Sequence, residues 1–411
     1  MDILIGYAFA IVIIALVILA VIVHAMVHVI EEDVRRKGEV MNLQEKFYSL
    51  YMMLTEDCNF RCQYCFGGEP RKTYMSKKVF LKSIEMILPA IKKHPLQITF
   101  FGGEPFLNWE VMQYGFNVLD YLNKVTSVNY KESAIKTYIS TNGLLATPDK
   151  LDYINKFKEL NSSIQFSLDG HTLELNSYRF SNKKIFDTII KNFKYALNNT
   201  DLYVNVRMTI NKKNIFHFAD SIIHFYEMGV NNVDFLTNDS IEMAQTHAWN
   251  DEKYYKAYYK NVQKIVKYLH KRKVEQFKNI DTNLYELYNK KYFCGRPCEA
   301  GYTLLGVFPN GELYPCTRIG SGPKKDKWLL GDVINGIDRI DLLEKINNFK
   351  LNRKNCGNCE ENTCIMCIAH NDEINNNIEL PVTDYCEFFK ISKSLITQNK
   401  EEIEKYEKRF L

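Results

Sequence analysis

Strand-like runs of apolar and β-branched residues recur between residues 47 and 236, with helix-length stretches between them. FYSLYMML (47–54), QITFF (97–101), KTYIST (136–141), SIQFSL (163–168), LYVNVRMTI (202–210) and NVDFL (232–236) read as strands. SKKVFLKSIEMILPAIKK and IFDTIIKNFKYALNN read as two of the intervening helices. Six strands alternating with helices predict an α/β fold with a parallel sheet, either doubly wound or curved into part of a barrel. In both architectures chemistry belongs at the carboxyl ends of the strands. TEDCNFRCQYC follows the first strand, GGEP the second, NG the third and DG the fourth.

Hydropathy changes character at both ends of this region. Residues 3 to 30 carry no Asp, Glu, Lys or Arg. As a helix they would run about 42 Å against a hydrocarbon core of about 30 Å, so a retained transmembrane helix is expected. A cleaved signal peptide and a buried core helix are the rivals; the first wants a basic leading segment and a shorter apolar run. Arg35, Arg36 and Lys37 follow the span and only Asp2 precedes it, which predicts a single-pass membrane protein with its catalytic body in the cytoplasm. Residues 251 to 280 read as a basic, tyrosine-rich amphipathic helix, Asn310-Gly311 as a hairpin turn, and the closing segment as a surface helix.

The 411 residues are 46% hydrophobic, enough for two or three ordinary domains with a sizeable core. With 53 basic against 49 acidic residues the net charge is +4, too even to imply a nucleic-acid partner. The eleven cysteines are uneven: three at positions 58 to 65 and eight between 294 and 386. Such clustering with short CxxC spacings suits ligation better than disulfides.

Cys58, Cys62 and Cys65 make a CxxxCxxC with no fourth cysteine near. Zinc could use three thiolates only by borrowing a distant ligand or keeping a water. A [4Fe-4S] cluster held by three thiolates leaves one iron open to an exchangeable ligand. The motif, with Tyr64 before its last cysteine, resembles that of the radical S-adenosylmethionine (SAM) enzymes. That resemblance implies a partial (β/α)6 barrel and a cluster whose open iron is chelated by SAM, giving a 5'-deoxyadenosyl radical. Three further matches extend it. FFGGEP places Gly102, Gly103 and Glu104 at the methionine amino group, STNG brings Ser140, Thr141 and Asn142 to the ribose side, and SLDG puts Ser167 and Asp169 near the carboxylate, with Arg179 a further anion contact.

The later cysteines resemble the SPASM extension, which carries two auxiliary [4Fe-4S] clusters. By order, Cys294, Cys298, Cys316 and Cys367 would hold one, and Cys356, Cys359, Cys364 and Cys386 the other; a pair of zinc ribbons is the alternative. The expected organisation is a transmembrane helix (3–30), the barrel (45–240), a helical connector (241–290), the SPASM module (291–390) and a C-terminal helix (391–411). The arrangement resembles the anaerobic sulfatase maturases and related peptide maturases. Two positions depart from sulfatase maturation: Thr317 replaces the Asp that follows the GxxxxC cysteine and accepts a proton, and Gly67 stands where that group has Tyr.

The resemblance therefore implies oxidative modification, most plausibly a crosslink, of a ribosomally made peptide. Sulfatase maturation, peptide epimerisation and a non-enzymatic iron-sulfur electron carrier or zinc protein are the alternatives. No segment like the small leader-binding domain of many maturases precedes the first strand. Leader recognition is then expected from the barrel, the C-terminal module or a separate leader-binding protein; the other expected partners are the precursor peptide, an electron donor such as flavodoxin or ferredoxin, and the membrane.

Overall fold

The computed structural model describes residues 45–126, 133–245, 248–272, 298–350, 352–356, 367–396 and parts of 401–409. Its centre is a ten-stranded mixed sheet in the order β10-β9-β8-β7-β1-β2-β3-β4-β5-β6. The six strands read from the sequence form in order: β1 (Ser49–Met53), β2 (Leu96–Phe101), β3 (Ile135–Thr141), β4 (Ser163–Ser167), β5 (Tyr203–Ile210) and β6 (Asn232–Thr237). Each pairs in parallel with the next. On the other side of β1 lies β7 (Leu304–Val307), also parallel, and it turns antiparallel into β8 (Glu312–Tyr314). Asn310-Gly311 makes that turn, with Gly311 at φ +91°. The short β9 (Gly331–Asp332) and β10 (Gly336–Ile337) close that edge.

Parallel strands covered on both faces read as continuous apolar runs, but these alternate. In β5, Val204, Val206, Met208 and Ile210 are buried, while Tyr203, Asn205, Arg207 and Thr209 share the other, more open face. The apolar face packs under the crossover helices α1 (Lys77–Ile87), α2 (Trp109–Thr126), α3 (Pro148–Asn155), α4 (Lys183–Asn199) and α5 (Phe218–Glu227). Phe100 of β2 stacks on Phe116 of α2 at 4.9 Å, and Phe166 of β4 meets Phe193 of α4 edge-on at 5.2 Å. Burying each such side chain contributes about 1.5–3 kcal/mol. α1 ends where Pro89 enters, and a short 3-10 turn (Leu88–Lys92) leads to β2. The sheet curls: Tyr51 on β1 lies within electrostatic reach of Arg207 on β5 and Asp234 on β6. The polar face is therefore concave.

The basic helix α6 runs over Glu252–Arg272 and packs against α5 and the last long helix, α9 (Cys386–Ile396). α9 begins at Cys386, ahead of the surface helix read from the sequence. Among the described residues no helix is long and apolar enough to cross a membrane. That finding overturns the single-pass membrane location. The helix expected over residues 3 to 30 itself lies outside the described residues.

Candidate active site

The loop leaving β1 is held by backbone geometry. Gly103 N donates to Thr55 O and Glu104 N to Asp57 O, each at 2.9 Å. Close approach of two chains requires the glycines: a Cβ on Gly102 would stand 2.6 Å from Thr55 O, and one on Gly103 2.2 Å from Asp57 O. The GGEP turn after β2 thus forms a bed for the cysteine loop. Asp57 Oδ1 accepts from Cys58 N at 2.9 Å, and Gln63 N donates to Tyr178 O at 2.9 Å.

Glu104 ties this bed to the turn after β3. Fully buried, it accepts from Thr141 Oγ1 and Asn142 N, both at 2.8 Å, and from Phe106 N at 3.2 Å. Burial lifts its pKa to about 7 against the opposing pull of those donors. Asn142 Nδ2, so placed, reaches Asn59 Oδ1 at 2.7 Å and lies 3.9 Å from Cys58 Sγ. Ser140 lies across from Gln165, and Ser167 across from Arg207, on the concave face.

Asp169 and Arg179 are spent on each other. Asp169 is fully buried; it accepts from Thr209 N at 2.9 Å and from the Tyr64 hydroxyl, and Arg179 Nε stands 2.9 Å away. The guanidinium lies over the Tyr64 ring, 5.2 Å from its centroid, donates to Thr209 Oγ1 at 3.4 Å, and holds its charge near Cys62. Burial pushes Cys58 up to about 12 and raises Cys62, which Arg179 partly counters; Cys65 is exposed. Thiols this reluctant to ionise in the protein alone become good ligands only where a metal's charge compensates the thiolates. No group of three or more His, Cys, Asp or Glu side chains among the described residues stands as a ready-made site for one ion. A four-iron cluster places its thiolates on different irons, and three thiols on one partly exposed loop fit that demand.

A second set of thiols lies beyond β7. Burial pushes the Cys298, Cys316 and Cys367 thiols up, Cys316 to about 12, and Cys367 adds to the rise at both of the others. A Cβ on Gly306 would meet the Cys316 carbonyl carbon at 2.8 Å, so this glycine lets the chain cross β7 into helix α7 (Thr317–Ser321). Thr317 is buried. Arg318 bonds Asp239, just past β6, and pairs with Glu373 of α8 (Ile368–Asn375) at 2.8 Å. Cys356 and Cys386 are among the described residues; Cys294, Cys359 and Cys364 lie outside them.

Sequence reasoning missed the centre of the concave face. There Gln165 Nε2 donates to Asp234 Oδ2 at 3.1 Å, Asn232 Nδ2 to Asp234 Oδ1 at 2.9 Å, and Arg207 Nη1 stands 4.0 Å from Asp234. Tyr51, whose phenol burial pushes up, lies within electrostatic reach of Arg207, Asp234 and Cys316. Charged residues at the centres of otherwise apolar strands were the available signal.

Residues 52–222 match the family described as the Radical SAM superfamily. The chain is 26% identical over 190 residues to an uncharacterized protein of Methanocaldococcus jannaschii, covering 45% of this chain and 61% of that one. It is 25% identical over 212 residues to the radical SAM cyclopropyl synthase TigE of Paramaledivibacter caminithermalis, covering 47% and 42%. The chain thus spans about half the length of these curated relatives. Among solved structures it is similar in fold to native anSMEcpe with bound AdoMet, at TM-score 0.62 and 20% identity over 86% of this chain and 98% of that one. SuiB of Streptococcus suis bound to precursor peptide SuiA matches at TM-score 0.58 and 17% identity, over 86% and 78%.

Proposed function

We propose, from the premise that residues 52–222 are a radical SAM domain, that this protein cleaves S-adenosylmethionine and oxidatively modifies, by crosslinking, a ribosomally made peptide. The observation that carries the reading is the meeting of Cys58, Cys62 and Cys65 with the GGEP and STNG turns at the carboxyl ends of β1 to β3. Cys58, Cys62 and Cys65 would hold one [4Fe-4S] cluster, which with bound SAM supplies the 5'-deoxyadenosyl radical that abstracts hydrogen.

Around it the chain's own residues bind and orient. Gly102 and Gly103 bring backbone beside the loop, Glu104 locks two turns together, and Ser140, Asn142 and Ser167 offer polar groups to the cosubstrate. Arg179, braced by Asp169, holds its positive charge near the Cys62 thiol in a dry environment. Cys294, Cys298, Cys316 and Cys367 would hold one auxiliary cluster and Cys356, Cys359, Cys364 and Cys386 a second. This module (291–390) follows the barrel (45–240) and connector (241–290), with a C-terminal helix after it. Electrons would come from a flavodoxin or ferredoxin, and leader recognition from the barrel, the C-terminal module or a separate protein.

A peptide substrate is supported by the likeness to SuiB, whose structure carries SuiA, and by an open polar concave face. Thr317 favours crosslinking over formylglycine formation, because a hydroxyl is too weakly basic near neutral pH to replace a carboxylate. The test is anaerobic turnover with the short peptide encoded beside the gene, read by tandem mass spectrometry. A loss of two mass units with suppressed fragmentation between two residues is expected. Formylglycine would overturn the crosslinking reading in favour of sulfatase maturation, and unchanged mass with solvent deuterium uptake would point to epimerisation.

A further inference from the structure

The concave face carries an arginine held only by one long ion pair. Arg207 lies mid-strand in β5, its side chain 30% exposed, and among the described residues its guanidinium makes no hydrogen bond. Its nearest carboxylate is Asp234 at 4.0 Å, beyond hydrogen-bond reach. Asp234 does not need it: each carboxylate oxygen already accepts from an amide, Oδ2 from Gln165 at 3.1 Å and Oδ1 from Asn232 at 2.9 Å. Its planar fork of five donors, partly open on the concave face, is left available to a ligand. Arg179, the cation expected from the sequence to meet an anion, is closed off against Asp169. Arg207 faces the interior of the curl, directly across from Ser167.

We propose that Arg207 binds a carboxylate on the concave face, gripping it with its fork as arginine grips carboxylates generally. The carboxylate comes from the methionyl group of SAM or from an acidic side chain of the substrate peptide. This deepens the proposed function and rests on it for the identity of both ligands.

The test uses the full-length, cluster-reconstituted protein and equilibrium binding, with no turnover. One probe pair is SAM and decarboxylated SAM; the other is the capped pentapeptide Gly-Tyr-Glu-Tyr-Gly and its Gln counterpart. Arg207→Gln should weaken one carboxylate-bearing probe about tenfold or more while changing its carboxylate-free partner less than about twofold, a coupling that isolates the contact. The affected pair names the source. Arg207→Lys, which keeps the charge and loses the fork, should recover only part of the affinity; it also carries the test if circular dichroism finds Arg207→Gln unfolded. Unaltered carboxylate preference in both variants overturns the proposal, as does a wild type indifferent to the carboxylate in both pairs. Failure of wild type to bind SAM while it prefers the Glu peptide would sink the proposed function and leave the Arg207 assignment standing.

Discussion

The two cysteine sites are built on opposite principles. Cys58, Cys62 and Cys65 ride on a loop tied down by backbone hydrogen bonds to a glycine turn, with Cys65 open to solvent. Cys316 and Cys367 sit at helix starts behind β7, beside an arginine clamped between two carboxylates. Each set keeps one thiol exposed, Cys65 in the first and Cys298 in the second. What differs is the hold: backbone bonds to a glycine turn in the first, a charge clamp between secondary elements in the second.

The sharpest way to break this comparison is to remove the first site alone. Replacing Cys58, Cys62 and Cys65 by Ala should abolish 5'-deoxyadenosine formation with dithionite and lower anaerobically reconstituted iron from about twelve per chain by about a third. Retained 5'-deoxyadenosine, or stoichiometric zinc with no iron in protein purified without oxygen, would contradict it.

A smaller effect should come from the second site. Arg318→Met strands Glu373, 7% exposed, without its partner, so urea unfolding should report a loss of about 3 kcal/mol. SAM cleavage at the first site should persist under native conditions. Stability unchanged within error would mean that the clamp carries no weight.

The smallest effect concerns pH. Glu104 has a folded-state pKa of about 7 against an ordinary 4.5, so the folded protein prefers its protonated form. The associated stability is fully present below 4.5 and is lost as pH rises through about 7. Wild type should therefore be less stable at pH 7.5 than at pH 5.5 by urea titration, and Glu104→Gln should flatten that dependence. An identical slope in both proteins would show that other groups govern it.

Much of the first site was legible because its residues are consecutive. CxxxCxxC, GGEP and STNG each fall in one turn, and strand alternation predicts that those turns meet at one end of the sheet. The role of Glu104 was not legible: its position after two glycines points to a ligand contact, whereas its carboxylate is turned inward onto Thr141 and Asn142. Arg179 likewise reads as a free cation until Asp169 and Tyr64 close around it.

By itself, then, the amino-acid order determined the parallel strands, their alternation, the hairpin at Asn310-Gly311 and the loops bearing the cysteines, because those depend on neighbours in the chain. Tertiary structure alone decided which charges are spent and which are left over. Arg179 and Arg207 are 28 residues apart, yet the first meets Asp169 at 2.9 Å and the second stands 4.0 Å from an Asp234 already satisfied. Pairing of charges is set by distance in space across β4, β5 and β6, and the curl of the sheet sets that distance.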